Sequence, residues 1–117
     1  MAVDDEADIT FTLKKELEHS GFLLDVFNDP IVALSNFKPG LYDLLLLDIR
    51  MPGMSGYELY QEIRKRDNKV KICFLSASES FDTLREVFPS FDENYYILKS
   101  VENKELIERV NRIMATF

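Results

Sequence analysis

The sequence predicts an α/β fold, a doubly wound parallel sheet with helices on both faces, and three observations carry that expectation. The first is the run Leu44-Leu45-Leu46-Leu47, ended by Asp48 and followed at once by Ile49-Arg50-Met51-Pro52-Gly53. It is far too short for a membrane span of about 20 residues, and continuous aliphatics of this length suit a central strand covered on both faces. The second is the rhythm of short aliphatic runs alternating with longer amphipathic ones, with no repeat, low-complexity segment or linker between them. The third is length: 117 residues suit one hydrophobic core, so residues 1–117 are expected to form a single domain.

The elements follow in order. Strands are expected at Met1 to Val3, Phe22 to Val26, Asp43 to Leu47, Lys71 to Leu75 and Tyr95 to Leu98, with helices filling the gaps. The first helix carries Ile9, Leu13 and Leu17 at spacings of four and meets a stop signal at Gly21. The second begins after Asp29, with Pro30 suited to its first turn, and ends before Pro39-Gly40. Ser55 is placed to cap the third, which runs through Leu59 and Ile63 toward Arg64-Lys65-Arg66. In the fourth, Phe81, Leu84, Val87 and Phe88 fit helical spacing until Pro89 ends the pattern after about two turns. The fifth presents Leu106, Val110 and Ile113 or Met114 on one face.

Composition narrows the function classes. With 46% hydrophobic residues and no apolar stretch near 18 residues, the chain reads as soluble, without signal peptide or membrane helix, and is expected in the cytoplasm. A formal charge of -7 argues against direct nucleic-acid binding, which rests on neutralising phosphates with clustered cations. The basic group Arg64-Lys65-Arg66, with Lys69 and Lys71 behind it, suits a solvated helix end at the negative pole of the dipole. The single Cys73, inside Lys71-Ile72-Cys73-Phe74-Leu75, reads as a small buried hydrophobe and not as a catalytic thiol. His19, near the end of the first helix, is expected to be exposed and without a role in group transfer.

The polar residues gather at strand ends. Asp4-Asp5 follow the first strand, Asp48 the third, Ser76 the fourth and Lys99 the fifth. A parallel sheet brings these positions to one rim, where open α/β folds bind ligands. Carboxylates crowded together repel one another and are normally kept ionised by a bound cation. Oxygen ligands point to Mg²⁺, since zinc would want His or Cys. Such a cation would let one carboxylate attack a phosphoryl donor while Lys99 and the Ser76 hydroxyl hold oxygens of the transferred group, giving an aspartyl phosphate.

In the order Val3-Asp4-Asp5-Glu6, Leu46-Leu47-Asp48-Ile49-Arg50-Met51-Pro52-Gly53-Met54-Ser55-Gly56, Leu75-Ser76-Ala77 and Leu98-Lys99, the chain resembles a response-regulator receiver domain of two-component signalling over essentially its whole length. The resemblance implies a flavodoxin-like sheet of strand order 2-1-3-4-5 with five helices. It implies that Asp48 accepts a phosphoryl group from a histidine kinase or phosphotransfer protein, with Mg²⁺ held by Asp4, Asp5, Asp48 and the backbone carbonyl of Arg50. Ser76 then resembles the switch hydroxyl, Lys99 the phosphate-pairing lysine, and Tyr96 the aromatic that turns inward when the hydroxyl moves. Arg50 and Ser78 flank the site and are expected to modulate phosphate lifetime. The implied output is a change in the surface of the fourth helix, fifth strand and fifth helix, which binds an effector or a second copy. The domain would promote its own phosphorylation and dephosphorylation without being a turnover enzyme.

Two departures from that family stand out. Only Met1-Ala2-Val3 precede the acidic pair, so the first strand is expected to be short or frayed. Lys99 is followed by Ser100 where the family usually has proline with a cis bond; before a non-proline residue the cis form costs about 2.5–4 kcal/mol, and a trans bond is expected to move the lysine. These departures leave room for a receiver-like interaction module that works without phosphorylation. A Mg²⁺-dependent aspartyl phosphohydrolase would want an acid two residues after the nucleophile, where Arg50 stands. Plainer roles also fit single residues: Asp4-Asp5-Glu6 suit the start of the first helix, and Tyr96 suits a core aromatic.

Overall fold

The structure is a computed structural model that describes residues 1–77 and 80–116. Its elements alternate as β1 (Ala2–Val3), α1 (Ala7–His19), β2 (Val26–Phe27), α2 (Pro30–Asn36), β3 (Leu44–Asp48), α3 (Gly56–Arg66), β4 (Lys71–Ser76), α4 (Phe81–Val87), β5 (Tyr96–Leu98) and α5 (Asn103–Met114). A 3₁₀ turn, Glu93–Tyr95, leads into β5. All neighbouring strands are parallel and stand in the order β2-β1-β3-β4-β5, so the order reverses beside β1 and β3. The predicted fold class is therefore the observed one.

The leucine run shows how the sheet is covered. Leu45 and Leu47 face a core with Val3, Leu59 and Ile63 of α3, Phe74 and Leu84 of α4. Leu46 faces the opposite core, with Leu13 and Leu17 of α1, Leu75, and Leu106, Val110 and Ile113 of α5. Successive side chains of a strand point to opposite faces, so β3 needs apolar residues at every position once both faces are covered. Each fully buried leucine contributes about 1.5–3 kcal/mol relative to exposure.

The helix ends are written in local chemistry. Gly21, at a φ of +97°, closes α1 with Phe22 N–H on Leu17 O (3.0 Å) and its own N–H on Glu18 O (3.1 Å), the paired bonds of a Schellman motif. Asp29 accepts from the N–H groups of Ile31 and Val32 with Pro30 at the first helical position, and Ser55 forms a full capping box with Glu58. Ser80 caps α4, which ends at Val87, two residues before Pro89. Arg66 and Lys71 of the basic cluster reach carbonyls at helix ends, while Arg64 reaches a loop carbonyl ahead of β4. Arg64 donates to Val70 O and Arg66 to Leu34 O (3.2 Å), while Lys71 donates to the carbonyls of Ile113, Met114 and Thr116 at the end of α5.

All five strands differ from expectation by at least one residue: β1 starts at Ala2 and not Met1, β4 runs through Ser76 and does not end at Leu75, and the other three differ as follows. The second strand is Val26–Phe27, not Phe22 to Val26, because the backbone of Leu24 is claimed by α1: its carbonyl accepts from Lys14 Nζ (2.8 Å) and its N–H donates to Glu18 (3.4 Å). Asp43 precedes β3, and the strand instead runs on through Asp48, which pairs with Leu75. Tyr95 belongs to the 3₁₀ turn capped by Asp92, so the fifth strand starts at Tyr96. The first strand is short as expected, yet it is not frayed. Ala2 and Val3 are wholly buried between β2 and β3, and the amine of Met1 donates to Leu44 O at 3.0 Å. Burial pulls that amine down to about 6, against the charges of Asp25 and Asp43.

Gly56 sets how closely α3 approaches the end of β3. Its N–H donates to Ile49 O at 2.7 Å, and a Cβ there would lie 2.1 Å from Asp48 O, so backbone would have to move. Gly56→Ala is expected to lower stability by about 3 kcal/mol in urea unfolding; a loss below about 0.5 kcal/mol would show that the contact is not needed.

Candidate functional site

The parallel register assembles the site. Val3 stands opposite Leu47, so the next residues, Asp4 and Asp48, leave the sheet side by side at the reversal of strand order. Phe74 pairs with Tyr96 and Ser76 with Leu98, and the ladder continues with Lys99 N–H donating to Ser76 O at 2.8 Å. Asp4 is completely buried, and Asp48 and Ser76 are nearly so.

Lys99 is the centre of the cluster. Its Nζ lies 2.8 Å from Asp4 Oδ2, 3.1 Å from Asp48 Oδ1 and 3.4 Å from Glu6 Oε1. No cis peptide bond occurs among the described residues, so the Lys99–Ser100 bond is trans, and the ammonium reaches both aspartates all the same. A trans bond is therefore compatible with an ammonium placed between the two carboxylates. Burial alone would push Lys99 down, but its hydrogen bonds to Asp4 and Asp48, with their charges, hold it above the usual lysine range.

Asp48 is pushed the other way. Burial first, then the negative charge of Asp4 and a hydrogen bond shared with Asp5, raise it to about 7 against the opposing pull of Lys99. The surroundings thus favour the protonated form of Asp48, whereas only the ionised form is a nucleophile. Positive charge placed among these carboxylates would restore it. The donor set suits such a cation: ligand atoms of Asp4, Asp5 and Glu6 lie within 4.8 Å of one another, all of them hard oxygens.

Asp4 is itself pinned in place. Its Oδ1 accepts from Glu6 N–H at 2.9 Å, its N–H donates to Phe27 O at 3.1 Å, and its carbonyl accepts from Asn28 Nδ2 at 2.8 Å. Asn28 also donates to Thr10 Oγ1 at 2.8 Å, tying the loop after β2 to α1. Asn28 and Glu6 are the residues that sequence reading missed. Glu6 was visible beside the acidic pair but read only as a helix start; Asn28 carries no motif signal, since its role depends on a bond over 24 positions.

The other expected residues are placed as follows. Arg50 is exposed in the loop after β3. Ser76 ends β4 beside Lys99. Tyr96 is turned inward against Phe81 (ring centroids 5.7 Å apart), while Tyr95 packs with the opposite core. The Tyr96 hydroxyl is buried and finds no hydrogen-bond partner among the described residues. Ser78 lies outside the described residues. Cys73 is a buried thiol, raised by burial to about 12, and His19 is exposed.

Two outcomes follow from this geometry. With Asp48 raised from 3.8 to about 7, the folded state holds its proton more tightly than the unfolded chain. Stability from this group is therefore present below pH 4 and lost as pH climbs to about 7. In metal-free buffer Asp48→Asn should gain about 3 kcal/mol over wild type between pH 4 and pH 8 in urea unfolding, and a pH-independent difference would refute the shift. Tyr96→Phe should stabilise by about 1 kcal/mol by removing a buried hydroxyl that has no partner among the described residues; destabilisation would mean that the hydroxyl is paired.

Comparisons with known proteins show the family. The family model for the response regulator receiver domain matches residues 1–111. Among curated relatives, transcriptional regulatory protein PrrA of Mycobacterium leprae is 32% identical over 114 residues, covering 97% of this chain and 48% of that protein. The transcriptional regulatory protein YkoG of Bacillus subtilis is 31% identical, covering 94% of this chain and 48% of that protein. The chain thus spans about half the length of the curated relatives it matches. Among solved structures, the non-phosphorylated HemR receiver domain of Leptospira biflexa superposes with a TM-score of 0.86 at 26% identity, covering 99% of this chain and 93% of that one. Response regulator TrrA of Thermotoga maritima, solved with Mg²⁺ and BeF, gives 0.81 at 38% identity, covering 96% and 95%. With the acidic rim, the strand order and the match all coinciding over one stretch, the chain belongs to the response regulator receiver domain family of two-component systems.

Proposed function

We propose that Asp48 accepts a phosphoryl group from a histidine kinase or a phosphotransfer protein, in a reaction that needs Mg²⁺. Receiver domains bind Mg²⁺ at an acidic pocket, and response regulators act between histidine kinases and effectors. The observation that carries the reading is Lys99 held between Asp4 and Asp48 at a buried sheet edge. One of these carboxylates is poised as nucleophile, and the ammonium is already in reach of whatever that carboxylate becomes.

In the proposed step a carboxylate oxygen of Asp48 forms a bond to phosphorus as the bond from phosphorus to the donor's imidazole nitrogen breaks, and the nitrogen takes up a proton. Asp4, Asp5, Asp48 and the carbonyl of Arg50 would hold Mg²⁺, with Glu6 near the same cluster. When bound, the ion supplies positive charge that keeps Asp48 ionised and offsets the charge of the phosphoryl oxygens. Lys99 pairs with one of those oxygens, and the Ser76 hydroxyl, one strand away, donates to another. Tyr96 follows Ser76 as the second half of the switch, and the face formed by α4, β5 and α5 carries the result to an effector or a second copy. Arg50, exposed two residues past Asp48, would tune how long the phosphate survives. As in receiver domains generally, the phosphorylated protein is a signalling state and not a step in turnover.

Among the described residues no helix is long and apolar enough to cross a membrane. Separately, from the family's place between histidine kinases and effectors, we place the domain's partners in the cytoplasm.

Incubation with a small acyl-phosphate donor and Mg²⁺ should add a single phosphoryl group by intact mass, and Asp48→Ala or a chelator should abolish it. Wild type that stays unmodified would favour a module working without phosphorylation. Once phosphorylated, Arg50→Ala should lose its phosphate at a rate at least about three-fold different from wild type; equal rates would remove Arg50 from the site.

A further inference from the structure

Glu6 occupies the N-cap position of α1 and does not cap it. Short polar side chains suit that position because they fold back onto the first free N–H groups, whereas α1 has no side-chain cap hydrogen bond. The backbone of Glu6 is nonetheless fixed. Its N–H donates to Asp4 Oδ1 at 2.9 Å, and its carbonyl accepts from Ile9 at 3.1 Å and Thr10 at 3.3 Å. Only the side chain is left to adjust, and it points into the site, 3.4 Å from Lys99 Nζ and clustered with the ligand oxygens of Asp4 and Asp5. Of the carboxylates around Lys99, that of Glu6 is 63% exposed, against 0% for Asp4 and 6% for Asp48. It alone can exchange partners without a large desolvation cost.

We infer that Glu6 is a positioning residue that trades Lys99 for a divalent cation. The inference rests on the Mg²⁺ reading above. Without a cation, Glu6 shares the Lys99 ammonium with Asp4 and Asp48 and draws it toward the mouth of the site. A cation among the carboxylates offers Glu6 a stronger counter-charge, and the carboxylate turns to it. Lys99 then loses its outermost partner and is freed toward Asp48 and the oxygens of an incoming phosphoryl group. Metal occupancy and lysine placement become one linked event through a single exposed side chain.

Calorimetric Mg²⁺ titrations of the unphosphorylated chain test this as a cycle of wild type, Glu6→Gln, Lys99→Met and the double variant. In wild type the ion gains Glu6 but must break the pair with Lys99; in Lys99→Met only the gain remains. Glu6→Gln should therefore weaken Mg²⁺ about three- to ten-fold in the Lys99→Met background, and by at least about two-fold less in the wild-type background. Equal weakening in the two backgrounds would overturn the exchange, and so would no weakening in either. Should the Lys99 variants not fold, the side-chain NMR resonances of Lys99 serve instead. Mg²⁺ should shift them more in wild type than in Glu6→Gln, and identical shifts would overturn the inference. Neither readout involves phosphoryl transfer, so failure of Asp48 as phosphoacceptor and failure of Glu6 as exchanger are separate results.

Discussion

Lys99 between Asp4 and Asp48 is the interaction on which the rest of the molecule depends. It joins the end of β5 to those of β1 and β3 across a sheet edge where the backbone ladder runs out. Losing the lysine from such a buried cluster costs about 3–5 kcal/mol, because the carboxylates are then left without compensation. The pair also explains how a strand of only two residues holds the middle of a sheet. β1 is clamped on one side by the hydrogen bonds of Asp4 to Phe27 and Asn28, and on the other by the ion pair that reaches over β3.

The same constraint creates the chemistry. Two aspartates fully or nearly buried and a third at their rim are an unfavourable arrangement that one ammonium only partly offsets, as the raised Asp48 shows. An electrostatic deficit of this kind would be eased by a divalent cation, and on the proposed reading it would make the site sensitive to added phosphate. Structure and site are in tension here: the charges that weaken the apo fold are the ones the proposed reaction uses. Tyr96, already turned inward with a hydroxyl that finds no partner among the described residues, and a fourth helix of only seven residues lie on the side of the sheet where a response to that change would be carried.

Much of this was legible in the chain. The leucine run announced a strand covered on both faces, and Asp48 at its end announced the rim, because both follow from strand geometry alone. Ser55, Asp29 and Gly21 declared helix ends through local hydrogen bonding. What could not be read depended on contacts between distant residues. The second strand moved because Lys14 and Glu18 of α1 claim the backbone of Leu24, and Asn28 became an anchor of Asp4 only through the register of β1 with β2. That Lys99 bridges Asp4 and Asp48 with a trans bond after it depends on where the tertiary fold puts the end of β5, which no local motif states. Glu6 was hidden by its position: an acid at a helix start has an ordinary explanation in the dipole, and only the tertiary structure shows its side chain beside Lys99 with no cap bond to the helix.

A crystal structure with Mg²⁺ and beryllofluoride bears most directly on the claim that this ion cluster is a phosphoryl site. Beryllofluoride should sit on Asp48, with the metal on Asp4 and Asp5 and with Lys99 Nζ moved off Asp4 onto a fluoride. A structure in which Asp48 stays bare and Lys99 still bridges the two aspartates would contradict it.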